Sequence, residues 1–202
     1  TADYIKKFQE PRLMCKMDYR ESRPKVFSEH KLSILAIKNG VYRIAQNDPF
    51  INLQDAQKGK IELIKKPNLI TLDHQNPSSE SAALDVAFNT NMLEMLFGEA
   101  SQLTIRGRRR CDIDFNIAGT AYPVSGVQVE VDGGYEGANS INLIEAKIGS
   151  SSNINIRQLL YPHVYWSKFS DGQKSVRSYI FFYQNGVFRF IPFVYNELNF
   201  QC

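Results

Sequence analysis

Long apolar runs are missing from this chain. No stretch of 18 apolar residues occurs, which argues against a membrane-spanning helix. No charged-then-apolar leader opens it, so no secretory signal is expected, and Thr1 itself says nothing about export. Cysteine is scarce. Cys15, Cys111 and Cys202 lie far apart, with no CxxC and no neighbouring His. Such an odd, scattered set argues against a disulfide framework and against a structural zinc site, and it favours an intracellular compartment. His30, His74 and His163 are unclustered and read as surface or packed residues. No GxSxG or Cys–His pattern supplies a nucleophile. A large charge of one sign is lacking too: 24 Lys+Arg stand against 21 Asp+Glu, a net +3. That permits an acidic partner such as DNA without arguing for one. Repeats and low-complexity segments are absent.

What is present is ordinary globular material. With 202 residues, 43% apolar and 22% charged, the chain is long enough for one sizeable core and a small second lobe. Lys31 to Gln46 reads as a hairpin about Asn39-Gly40. Ile61 to Leu72 is β-branched and interrupted by Pro67, which suggests one or two short edge strands. Asn76-Pro77-Ser78-Ser79 offers caps for a helix over Glu80 to Phe97, closed by Gly98. From residue 103 the period becomes two. Strands are expected at Leu103 to Ile105, Ile113 to Ile117, Val124 to Val131 and Ile141 to Ile148, with a turn at Asp132-Gly133-Gly134. A helix over Asn155 to Trp166, broken or bent near Pro162, precedes a second hairpin about Gln184-Asn185-Gly186. The order predicts an α/β (α+β) fold with a mixed sheet.

The stretch with most chemistry is Val127 to Lys147. Val127, Val129 and Val131 share one strand face, and Glu130 and Asp132 project from the other. On the next strand, Glu145 and Lys147 share a face. Pairing of the two strands would bring two carboxylates and an ammonium together at their ends. Charges ending an apolar strand are costly unless paired or used. A hard cation such as Mg²⁺ relieves the repulsion between carboxylates and prefers their oxygens. An adjacent Lys can position or help deprotonate a water, or stabilise charge developing on a phosphate. Together these parts suit phosphodiester hydrolysis. The plainer alternative is a surface hairpin with an ordinary Glu–Lys pair. Glu29-His30-Lys31 has the same spacing but lacks the preceding apolar run and acidic turn.

Asp132 followed by Glu145-Ala146-Lys147 resembles the PD-(D/E)XK nuclease motif. The wider set, Gly107-Arg108, then Gln128 to Glu136, Ile144 to Lys147 and Arg157 to Pro162, resembles one group of type II restriction endonucleases, as does the aromatic hairpin of Tyr179 to Tyr195. The resemblance covers about 78–195. Val131 stands where the motif has Pro, a position often departed from in that family. The resemblance implies a restriction-endonuclease-like mixed β-sheet flanked by helices, with a catalytic core over 76–202; residues 1–75, which carry the first hairpin, stand apart as a smaller β-rich N-terminal region and a candidate for DNA contact. It implies Asp132 and Glu145 as Mg²⁺ ligands, with the Ala146 carbonyl, and Mn²⁺ as a substitute. Lys147 would orient or activate the attacking water. Glu80 would join from the preceding helix, with a dipole-stabilised helix N-terminus as the alternative. Gln158 would touch the site or the DNA backbone, with an exposed helical Gln as the alternative. Glu130 and Glu136 stand as substitutes for Asp132. The implied substrate is double-stranded DNA, cut by a homodimer in a prokaryotic cytoplasm beside a companion DNA methyltransferase.

Arg106, Arg108, Arg109 and Arg110, read as a loop between strands, suit phosphate or guanine contact, and Arg157 and Lys168 would extend the patch. The alternative is a solvated basic loop. Asp132 to Gly137 is rejected as a phosphate loop, because no helix and no Lys-Ser/Thr follow, and as a calcium loop, because the closing Glu is misplaced. Trp166 and the aromatics of 179–195 could stack on bases, although core packing is the commoner role. Three functions compete: a restriction-type endonuclease; a repair, junction or methylation-directed nuclease of the same fold; and a DNA-binding module without catalysis.

Overall fold

Alternation governs the middle of the chain. Val127, Val129 and Val131 are buried while Gln128 and Glu130 are exposed, the pattern of a strand with one face on a core. In the computed structural model, which describes residues 4, 7, 16–53, 59–117 and 119–195, these valines belong to a strand longer than the pattern. Helix α1 (Lys25–Glu29) leads into β1 (Leu32–Lys38), β2 (Val41–Gln46) and β3 (Phe50–Asn52). Helices α2 (Glu80–Asn89) and α3 (Met92–Phe97) follow, then β4 (Ser101–Ile117), β5 (Thr120–Gly137), β6 (Ser140–Ile148) and β7 (Asn153–Asn155). Helix α4 (Arg157–Ser170), β8 (Ser175–Gln184) and β9 (Val187–Phe193) complete the order.

The fold is mixed α/β. A seven-stranded mixed sheet runs β2-β1-β5-β6-β8-β9, with β4 also paired to β5. Strands β6 and β8 are parallel, and α4 supplies the crossover that parallel neighbours need. Helix α4 covers one face through Leu160, Tyr161 and Trp166, which pack with Val127, Val129, Val131 and Leu143. Helices α2 and α3 cover the other through Ala83, Leu84, Ala87 and Leu93, which pack with Ile144 and Ala146. The β1–β2 hairpin belongs to the same sheet through Lys38 and Ser125, and β3 pairs with β7. Among the described residues, no helix is long and apolar enough to cross a membrane.

Several expectations need correction. The two short strands at 103–105 and 113–117 are one strand, β4, and the Arg run lies inside it rather than in a loop. Register shifts, with Gly107 at φ 85°, bend β4 where the periodicity falters. Asp132-Gly133-Gly134 is not a turn, because β5 runs through it to Gly137. A Cβ on Gly134 would stand 2.6 Å from Ile105 Cβ, and one on Gly133 would stand 2.9 Å from the Tyr135 ring. These glycines serve close packing, not chain reversal. No strand forms between 61 and 72, where Leu63 and Ile70 are fully exposed. The helix expected over 80–97 is two helices, parted at Asn91 with φ 60°. The helix expected to end at Trp166 runs to Ser170 through Pro162. At the second hairpin, Asn185 and Gly186 both take positive φ, 50° and 77°, as a type I′ turn requires. Cys15 and Cys202 lie outside the described residues, and Cys111 is a buried free thiol.

Candidate functional site

Strands β5 and β6 pair from Glu136–Ile141 to Gly133–Ile144 and then part. Asp132 is the next residue of β5 and Glu145 the next of β6. The Ala146 N–H, which has no β5 carbonyl to meet in that ladder, donates to Asp132 Oδ2 at 2.8 Å. The side chain thus takes the place of a ladder bond and is fixed at the mouth of the gap. A residue's N–H and C=O leave a strand on the same edge, so the Ala146 carbonyl faces the same gap.

Glu145 is 9% exposed, between the buried Ile144 and Ala146 of β6. Lys147 Nζ donates to its Oε1 at 2.6 Å, and Gln158 Nε2 of α4 donates to the same oxygen at 2.5 Å. Among the described residues no donor reaches Glu145 Oε2 or Asp132 Oδ1, and Gln158 Oε1 is buried without a partner. Burial pushes the Glu145 carboxyl up to about 7, against the opposing pull of Lys147. Burial also raises Asp132, which the Ala146 N–H and Lys147 pull back. For Lys147, burial works against the charge, but Glu145, Asp132 and Glu80 outweigh it and hold the ammonium protonated.

Glu80 is the first residue of α2, behind Ser79, whose hydroxyl accepts from Ala82 N at 3.1 Å. It serves the helix terminus and also feels the site: burial raises its pKa, Lys147 lowers it and Asp132 raises it. Asp132, Glu145, Ala146, Lys147, Gln158 and Glu80 therefore converge. Of the substitutes, Glu136 pairs with Lys174 at 2.6 Å, while Glu130 pairs with Arg108 at 3.1 Å and lines the same hollow as Glu145 and Gln158.

Alternation divides the arginines of β4: Arg108 and Arg110 share one face, and Arg109 takes the other. Arg106 pairs with Asp85 of α2 at 3.0 Å. Arg108 holds Glu130. Arg109 lies 5.5 Å over the Trp166 ring. Arg110 is exposed and makes no ion pair among the described residues. Arg157 pairs with Asp18 at 3.3 Å rather than extending a basic surface.

That last pair exposes residues the sequence reading missed. The segment 17–20 is pinned beside α4: Asn155 N donates to Asp18 O at 2.9 Å, Asn155 Nδ2 to Met17 O at 2.9 Å, and Arg20 N to Asn153 Oδ1 at 2.6 Å. Tyr19, at the centre, is raised by burial and lies within the fields of Lys147, Asp18, Glu80 and Glu145. No local pattern marks it; only the contact between distant segments does. No group of three or more His, Cys, Asp or Glu side chains arranged for a metal occurs among the described residues. Any ion here would rest on two carboxylates supplemented by amide or carbonyl oxygens.

Residues 45–201 match the family model described as Domain of unknown function (DUF6997), and residues 1–44 match Domain of unknown function (DUF6996). The first match spans most of the chain, so the chain belongs to the DUF6997 family. No curated protein matches it. No solved structure matches it either.

Proposed function

We propose that the protein is an Mg²⁺-dependent DNA endonuclease of the PD-(D/E)XK, restriction type. The observation that carries this reading is the parting of β5 and β6 at Gly133–Ile144, with Asp132 held on the Ala146 N–H beside the Glu145–Lys147 pair. The mixed sheet flanked by helices agrees with the architecture that the motif resemblance implies.

The donor set fits a hard cation. Glu145 Oε2, Asp132 Oδ1 and the buried Gln158 Oε1 are acceptors lacking a described donor, and oxygen is what Mg²⁺ prefers. Asp132, Glu145 and the Ala146 carbonyl would hold it. Bound there, the ion would acidify a water and offset charge on a phosphodiester. The chain's own residues do the rest. Lys147, held charged, donates to the water or to the phosphate oxygens. Gln158 and Lys147 together fix the Glu145 rotamer, and the Ala146 N–H fixes that of Asp132. Glu80 adds negative charge that keeps Lys147 protonated. The substrate is double-stranded DNA in the cytoplasm, and cutting both strands calls for two sites, hence a homodimer.

The test is cleavage of a mapped supercoiled plasmid with and without Mg²⁺. Wild type is expected to cut only with the metal. Asp132→Ala and Lys147→Ala should each lose about a hundredfold or more. Unchanged cutting by either variant contradicts the assignment. Discrete bands on unmodified plasmid place the enzyme in the restriction class; cutting confined to branched or methylated DNA moves it to a repair, junction or methylation-directed role.

A further inference from the structure

A cavity of about 260 Å³ opens at the end of β6, beginning two residues beyond Lys147. Its lining residues include the polar Ser150, Gln184, Asn185 and Arg189 and the apolar Phe182 and Val187. Among the described residues no Asp or Glu lines it. Arg189 is exposed and makes no ion pair among the described residues. The lining thus presents one uncompensated cation, several neutral hydrogen-bonding groups and an apolar wall. That combination suits an anion joined to a flat or apolar body, rather than a cation or a bare hydrocarbon.

The cavity's place in the sheet relates it to the candidate site. Lys147 of β6 is registered with Phe182 of β8, and Phe182 with Arg189 of β9. Registered neighbours project from the same face. The three therefore stand in a row across adjacent strands, with Arg189 Cα about 10 Å from that of Lys147, two strand spacings away. A polyanionic strand whose reacting phosphodiester lay at Lys147 would bring its neighbouring phosphate toward Arg189.

We propose that this cavity is a nucleotide subsite. It holds the unit next to the one being cut, with Arg189 and Ser150 on its phosphate, Phe182 and Val187 against its base, and the amides of Gln184 and Asn185 at the base's polar edge. The volume lies just below the usual small-ligand range of about 300–1,000 Å³, which suits one nucleotide rather than a duplex. The inference rests on the nuclease reading for its ligand being part of a DNA strand.

The test is titration of the full chain, without metal, with thymidine 5′-monophosphate, thymidine and inorganic phosphate. Wild type should bind the nucleotide more tightly than either fragment. Arg189→Ala should weaken nucleotide binding about tenfold, the effect of losing one charge-assisted contact, and Ser150→Ala should weaken it less. Lys65→Ala, which removes the same charge from an exposed segment elsewhere, should leave it unchanged. The subsite is overturned if wild type fails to bind the nucleotide, if Arg189→Ala binds it as tightly, or if inorganic phosphate binds equally well. The plasmid assay separates the two claims. Cleavage by a wild type whose nucleotide binding ignores Arg189 sinks the subsite and spares the nuclease. Arg189-dependent binding without any cleavage does the reverse.

Discussion

Two donors on one oxygen define the centre of the site: Lys147 and Gln158 both reach Glu145 Oε1. Their chemistry differs, since Lys147 brings charge and Gln158 brings only a dipole. An uncharged substitute for Gln158 would leave the charge balance intact while loosening the Glu145 rotamer. A different residue reports on burial outside the site. His163 stacks on Tyr195 at 4.0 Å between centroids, its Nδ1 lies 3.2 Å from Ser178 Oγ, and burial lowers its pKa from 6.5 to about 4. Above pH 6.5 the imidazole is neutral whether folded or not, and its contribution to stability is whole. As pH falls from 6.5 toward 4, the unfolded chain takes a proton that the folded one refuses, and that contribution is lost. Glu145, raised by burial to about 7, gains stability over the same interval, so the His163 effect is read as a difference. From about pH 7 to about pH 4.5 the thermal midpoint should drop more, or rise less, in wild type than in His163→Gln. An equal change in the variant contradicts this.

Strand β5 shows what was legible at the scale of elements and what was not. The alternation at Val127, Val129 and Val131 was plain, because one face meets a core and the other meets solvent. Gly133 and Gly134 misled, since a glycine that clears a turn and a glycine that clears a neighbouring side chain look alike in one dimension. Ile61 to Leu72 misled in the opposite way: β-branched residues suit a strand only where a partner offers a ladder, and none does here. Asn185-Gly186 was legible because its turn has a strict backbone requirement. Gly134→Ala tests the packing account. The added methyl would stand 2.6 Å from Ile105 Cβ, so urea denaturation should show a loss of about 1–3 kcal/mol, the cost of overpacking. No loss would mean that Ile105 yields freely and that packing does not explain the glycine.

At the scale of the whole molecule, the two matched family segments share one sheet. Their junction at 44/45 falls inside β2, β1 pairs with β5, and Asp18 of the first segment holds Arg157 of the second. The Asp18–Arg157 contact joins residues 139 positions apart, which is why no local pattern places Tyr19 and Asp18 beside the site. Leu35, 1% exposed, packs with Tyr122, Val124 and Trp166. Leu35→Ala should therefore cost about 2–5 kcal/mol and lower the midpoint of a single unfolding transition followed by two probes. Two separate transitions, with only one shifted, would contradict a shared core. The account as a whole turns on one place in the chain, the gap where β5 and β6 part. Anomalous diffraction from a crystal soaked in Mn²⁺ looks there directly. A peak within coordination distance of Asp132, Glu145 and the Ala146 carbonyl is the expected result; a well-occupied ion elsewhere, with that gap empty, would contradict it.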